Sequence, residues 1–203
     1  MTTPAKRRTD PERAQNRRNQ VLEAAAVCFS RSGFHGASMS EISKQAGMSA
    51  GHIYNYFDSK DAIIMAIVER ESEYVTGLLV DLQMRDDPLQ AMIDDARRHI
   101  DETLDPQPWH VPLEMHAEAS RNPVIAAKLQ VHEEKSRMQL RLLVKEGRGR
   151  RNLPVDDQLV DGRVDTIISY FQGLPIRALN RPNMNRDGLA ESFRVAMTAL
   201  LMT

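Results

Sequence analysis

The chain has a single cysteine, Cys28, among 203 residues. It cannot form an internal disulfide, which suits a reducing compartment. No apolar run approaches the roughly 20 residues that a membrane-spanning helix needs. The polar, basic first residues lack the apolar stretch of a secretory signal. Sustained period-two alternation of β-branched residues is missing too, which argues against a sheet. There is no phosphate loop, dinucleotide fingerprint or strand-borne nucleophile elbow. His110, Glu114 and His116 stand at spacings that match no common metal site. Neither catalysis, a cofactor nor a metal is therefore expected.

What is present is helical pattern and uneven charge. The net charge is −1. Residues 1–60 carry nine Lys/Arg against five Asp/Glu, whereas residues 61–203 carry eighteen against twenty-three. A basic end on an acidic body fits a protein that presents that end to a polyanion, although an ordinary solvated surface can vary as much.

The first helix is expected from about Pro11, with Asp10 before it as a cap, to about Ser32, with Gly33 closing it. Val21, Leu22, Ala25, Cys28 and Phe29 recur on one face. The densest information lies in residues 38–57. Ser38 and Glu41 stand in capping-box relation, and Met39, Ile42 and Ala46 form an apolar stripe. Gly47 supplies a turn and Ser49 caps a third helix that carries Ile53 and Phe57. Two short helices about a glycine turn are the layout of a helix-turn-helix, which sets its second helix in the DNA major groove.

The residue types suit that task. Ala50 and Gly51 let the backbone approach base edges, while His52 and Asn55 reach them, an Asn amide matching an adenine edge. Tyr54 and Tyr56 can bond phosphates or serve as core aromatics. Lys60 can meet a phosphate by charge. Ser38 and Ser49 cap helices whatever else they do. Lys6, Arg7 and Arg8 form either a DNA-binding arm or a solvated tail.

A long amphipathic helix follows, starting at Asp58 or Ser59 and ending near Met84. It carries Ile63, Ile64, Ile67 and Val68, then Tyr74, Val75, Leu78, Leu79 and Leu82. Further helices are expected at about 88–104, 110–120, 122–147, 156–180 and 186–202. Residues 147–152 (GRGRRN) read as a surface loop, and Pro175 predicts a kink near Phe171 to Leu174.

In 21–67 the chain resembles the DNA-binding domain of the TetR/AcrR family. The resemblance rests on Val21-Leu22, Ala24-Ala25, Phe29, Gly33-Phe34, Ala37-Ser38-Met39 and Ile42. It continues through Ala46-Gly47-Met48-Ser49, Gly51, Ile53-Tyr54, Tyr56-Phe57 and Ser59-Lys60. Ser38 stands where threonine is usual, and Ile63 or Ile64 where leucine is usual.

The resemblance implies an all-α regulator of the bacterial cytoplasm. A basic arm (1–11) would precede a three-helix DNA-binding domain (12–60). Helix four would then lead into a larger helical domain (61–203) for effector binding and dimerisation. It implies base contacts at Ala50, Gly51, His52 and Asn55, and phosphate contacts at Ser38, Ser49, Tyr54, Tyr56 and Lys60. The expected partners are double-stranded palindromic operator DNA, a second copy of the chain and a small hydrophobic or amphipathic effector. The expected activity is repression, relieved by that effector.

Two features of the larger domain bear on those roles. Leu159, Val160, Val164, Ile167, Ile168, Phe171 and Leu174 form one apolar face near the end of the chain. Leu189, Phe193, Ala196, Met197, Leu200 and Leu201 form another. They make either a homodimer interface through the two C-terminal helices or an intramolecular core. Trp109, Met115 and His116, with Phe171, are the candidates for an effector cavity, because pockets pair apolar walls with a few polar anchors.

Overall fold

The computed structural model describes residues 11–105 and 110–203. Ten α-helices and no strands occur among them. In chain order they are α1 Pro11–Gly36, α2 Met39–Ala46, α3 Ala50–Ile53, α4 Lys60–Gln83 and α5 Pro88–Asp94. There follow α6 Ala96–Thr103, α7 His110–Ala119, α8 Pro123–Arg150, α9 Asp157–Asn180 and α10 Arg186–Met202. No helix among the described residues is long and apolar enough to cross a membrane.

The chain divides into two compact units after Val68. The sequence pattern suggested a boundary at 60/61, ahead of α4. The first turns of α4, with Ile63, Ile64 and Ile67 all buried, instead belong to the unit that holds α1, α2 and α3. A boundary inside a helix leaves no composition break to read.

In the first unit, Val21, Leu22, Ala25 and Phe29 of α1 are buried, as are Ile42 and Ala46 of α2, Ile53 of α3, and Phe57. The rings of Phe29 and Phe34 meet edge to face at 4.7 Å, a favoured aromatic geometry. The helical path of α1 breaks at Gly33, whose φ of 68° and ψ of 171° suit glycine alone.

The second unit spans Glu69–Thr203. Its core gathers Leu89 and Ile93 of α5, Ile100 of α6, Leu140, Leu143 and Val144 of α8, Val160, Val164 and Ile167 of α9, and Phe193, Met197 and Leu201 of α10. Most of the two apolar faces read from the sequence thus close on each other inside one chain. Leu159 is the exception, at 39% exposed.

Three local expectations need correction. The helix expected over 88–104 is two, α5 and α6, joined at Asp95, whose ψ is −1°. α9 runs through Pro175 as one helix. Residues 147–150 are the last turn of α8 rather than a loop. Gly147 is there because it touches Leu89: a Cβ would lie 2.6 Å from the Leu89 Cγ. Finally, Tyr74, Val75 and Leu78 of α4 are exposed although they complete its apolar pattern.

Arg148, expected on that loop, is fully buried. Its guanidinium donates to the carbonyls of Pro154 (2.9 Å), Leu201 (3.0 Å) and Thr203 (3.2 Å). Arg163 donates to the carbonyls of Ala199 and Leu200. Two cations thus satisfy the open carbonyls at the end of α10, where the helix dipole is negative. Burial pulls the Arg148 guanidinium below its usual pKa range, with the Arg163 charge adding to the effect.

Candidate nucleic-acid interface

Residues 38–57 fold from two capped starts. The Ser38 Oγ accepts from the Glu41 N–H at 3.2 Å, and the Glu41 carboxylate accepts from the Ser38 N–H at 2.8 Å. The Ser38 hydroxyl also donates to that carboxylate at 2.9 Å. These bonds, the backbone one first, hold the Glu41 carboxyl below its usual pKa range. They occupy the donor that a phosphate would require of Ser38. Ser49 is placed differently: its Oγ accepts from the His52 N–H at 3.2 Å, and among the described residues no bond takes its own O–H.

Gly47 makes the turn. Its φ of 61° is left-handed, and the following N–H of Met48 reaches back to the Ser43 carbonyl at 3.0 Å. Such a helix end strains any residue with a Cβ. α3 is a single turn, Ala50–Ile53, shorter than the pattern suggested. The chain continues as a tighter coil, with Asn55 N–H bonded to the His52 carbonyl at 3.2 Å and Tyr56 N–H to that of Ile53 at 2.9 Å.

This coil sorts side chains sharply. Ile53 and Phe57 are buried, whereas Ala50, Gly51, His52, Tyr54 and Asn55 are exposed. Tyr54 is half exposed and Tyr56 is half-buried, its ring edge-on to His52 at 5.4 Å. Four of the expected base-contacting positions therefore share one open surface with Tyr54 and Ser49. Lys6, Arg7 and Arg8 lie outside the described residues.

Lys60 is turned inward. Its ammonium donates to the carbonyls of Phe34 at 2.5 Å and Ala37 at 3.0 Å, satisfying the chain where α1 ends. Two of its three donors are thus committed to the fold. The expected phosphate contact rested on charge and helix position, and neither reveals a backbone carbonyl 26 residues away.

Two further side chains tie the segment around this open surface to α1. Gln20 donates to the Ala46 carbonyl at 2.8 Å, and Arg18 to that of Tyr56 at 3.2 Å. The Arg18 guanidinium also lies 4.3 Å from the centre of the Phe57 ring, a cation–π distance. Sequence reasoning passed over both. Their place on the inward flank of α1, next to Val21 and Leu22, was the only signal.

The tentative effector residues do not form one lining. Trp109 lies outside the described residues. Met115 is buried on α7, but its neighbour His116 is exposed. Phe171 packs on the His99 ring at 4.1 Å and the Phe193 ring at 5.7 Å, as part of the core. Burial lowers the His99 pKa to about 4, so it is neutral at pH 7. Among the described residues, no group of three or more His, Cys, Asp or Glu side chains is placed to hold a metal.

Residues 21–67 match the model for bacterial regulatory proteins of the tetR family. That segment is similar to the tetR-family DNA-binding domain. The regulator UidR of Escherichia coli (strain K12) is 45% identical over 60 residues, or 30% of this chain and 31% of UidR. The match thus spans less than a third of that relative's length. CymR of Pseudomonas putida is 28% identical over 190 residues, covering 89% of this chain and 88% of CymR. FadR of Bacillus subtilis, solved with stearoyl-CoA, superposes with a TM-score of 0.73, covering 91% of this chain and 97% of FadR. At 19% identity that last likeness is one of fold.

Proposed function

We propose that this chain is a DNA-binding transcriptional repressor that reads a palindromic operator as a homodimer and leaves it when a small hydrophobic or amphipathic effector binds the larger unit. The observation that carries the reading is the open surface at Ala50 to Asn55, built on a single capped turn and tied to α1 on either side by Arg18 and Gln20. A rigid, small-residue helix start with Asn55 beside it suits the major groove.

For the dimer, support comes from the outward side of α9 and α10. Leu159, Tyr170, Ile176, Leu179 and Val195 are exposed there. A groove of about 370 Å³ runs between the two helices, lined by Leu159, Gly162, Thr166 and Leu200 among others. For the effector, support comes from the stearoyl-CoA held by the fold neighbour FadR.

α4 begins at Lys60 and runs on into the second unit. It is the natural lever through which a bound ligand would alter the spacing of two reading surfaces, which DNA sets at about 34–36 Å. The test is binding to operator and to random duplex at one salt concentration. Specific binding at least about a thousandfold tighter is expected. Equal affinities would instead favour a non-specific DNA binder.

A further inference from the structure

Residues 47–55 carry the Gly47 turn, the Ser49 cap and the open surface, and the backbone leaves a carbonyl free at each end of this run. Among the described residues, no backbone N–H bonds the Ala46 carbonyl before it or the Tyr56 carbonyl after it. Side chains of α1 take both. Gln20 Nε2 donates to Ala46 at 2.8 Å, and Arg18 Nη1 to Tyr56 at 3.2 Å. Each bond is partly buried, where water replaces a lost partner less freely.

The two donors leave α1 in different directions. Arg18 stands one turn before Leu22 and extends the stripe in which Leu22, Ala25 and Phe29 are buried. Its guanidinium also rests 4.3 Å from the centre of the Phe57 ring. Gln20, two residues on, lies about 200° round the helix, one turn before Ala24. One helix thus grips the run at both ends, from two of its flanks.

Between those ends the bonds are internal to the helix-turn-helix. The Ser49 Oγ accepts from His52, and the Met48 N–H donates to Ser43. Ile53 is the one residue of 47–55 that is buried. Its burial favours docking but fixes no direction, because the hydrophobic effect is non-directional. Hydrogen bonds weaken steeply as they bend. The tilt and reach of Ala50 to Asn55 therefore depend on the two end bonds.

Placement of that kind matters more to some contacts than to others. Base-edge hydrogen bonds carry sequence information and need a site held within about 0.5 Å. Attraction to phosphates acts over roughly a Debye length, about 10 Å at moderate salt, and tolerates a small displacement. A loosened end bond would therefore blur discrimination while leaving general attraction to DNA in place.

We propose that Arg18 and Gln20 are positioning residues for sequence discrimination: through the carbonyls of Tyr56 and Ala46 they set how Ala50 to Asn55 are presented to the bases. This rests on the reading of that surface as the face that meets DNA. Neither side chain has to touch DNA in this role.

The test starts with the full natural chain selecting duplexes from a random-sequence library. Its affinities for the selected duplex and for random duplex are then compared with those of Gln20→Met and Arg18→Met at one salt concentration. Gln20→Met keeps the length of the side chain and changes no charge. Each variant is expected to lower the ratio of selected to random affinity at least about tenfold, the cost of one misread base pair. Binding to random duplex and its salt slope are expected to stay nearly unchanged. A second selection with each variant is expected to return a more degenerate consensus.

A variant that merely unfolded more would lose both affinities in proportion and keep the ratio. An unchanged ratio would therefore overturn the positioning role of the residue replaced. So would a loss in Arg18→Met that came with a salt slope reduced by about 0.9, the mark of a missing phosphate contact. Return of the natural consensus by both variants would overturn the proposal as a whole. Gln20→Met decides alone if Arg18→Met does not fold. If the natural chain selected no sequence, the regulator reading would fail and this role with it, whereas a natural consensus with unchanged ratios would remove the positioning role alone.

Discussion

At the scale of single residues, Asn55 and Lys60 are placed oppositely, one turned outward and one inward. Asn55 is exposed on the open surface, while Lys60 spends its ammonium on the carbonyls of Phe34 and Ala37. Asn55→Ala should cost about 1–3 kcal/mol at one operator base pair and relax the preference there. Binding to a set of singly substituted operators measures this. A uniform loss across the whole set would remove Asn55 from base reading. Lys60→Met keeps the aliphatic stem and leaves two carbonyls unsatisfied. It should lower the stability of the first unit by about 1–3 kcal/mol. It should also leave the slope of log affinity against log salt nearly unchanged. A phosphate contact would instead reduce that slope by about 0.9. Chemical denaturation and a salt titration give the two readouts.

At the scale of elements, the seam between α5 and α8 and the facing sides of α8 and α9 make opposite demands. The first needs absence. Gly147 has the Leu89 side chain where its Cβ would be, whereas Gly149, one turn-step on, has open space. Gly147→Ala should therefore destabilise by about 1–3 kcal/mol through overpacking. Gly149→Ala should stabilise by about 0.5–1 kcal/mol, because alanine favours a helix. Urea midpoints of the pair decide it, and matching shifts would show that Leu89 yields freely.

The facing sides of α8 and α9 need charge. Arg137, Arg141 and Lys145 on α8 meet Asp157, Asp161 and Asp165 on α9 in a ladder of ion pairs, at 2.6 Å for Arg137 with Asp165 and 2.7 Å for Arg141 with Asp161. Asp157 is held below its usual pKa, first by its bond from Lys145, and Asp165 by its bond from Arg137. A carboxylate depressed in the folded state stabilises it above the unfolded value, about 3.9 for Asp. That contribution is lost as pH falls through the lower folded value. The thermal midpoint should hold near neutrality and drop below about pH 4. Arg137→Gln with Lys145→Gln should flatten that drop, and an unchanged acid limb would show that other carboxylates carry it.

At the scale of the whole molecule, the proposed dimer accounts for the apolar residues that the core leaves out. Leu159, Ile176 and Val195 are exposed on α9 and α10, and Leu159 also lines the groove with Gly162, Arg163 and Leu200. Leu159→Glu sets a charge on that side without touching the buried Val160. It should yield a monomer in sedimentation and lower operator affinity at least about a hundredfold, because half-site binding loses the effective concentration of the second reading surface. A dimeric Leu159→Glu protein would move the interface elsewhere.

What the amino-acid pattern settled by itself is local. The Ser38–Glu41 box, the Gly47 turn, the Ser49 cap and the alternation of buried Ile53 and Phe57 with exposed neighbours all depend on residues within a few positions. Period and capping encode such features directly. The all-helical class and the family match at residues 21–67 follow from the same short-range signals.

What only the tertiary structure decided is where long polar side chains and the second apolar faces go. Lys60 and Arg148 have partners 26 and 53 residues away, and nothing near either one in sequence distinguishes a solvated cation from one that satisfies a carbonyl. The same holds for α9 and α10, whose apolar stripes serve a core or an interface equally well until the other helices are placed. Burial and pairing belong to the packed chain, so the open surface at Ala50 to Asn55 was visible in the sequence while the side chains that hold it were not.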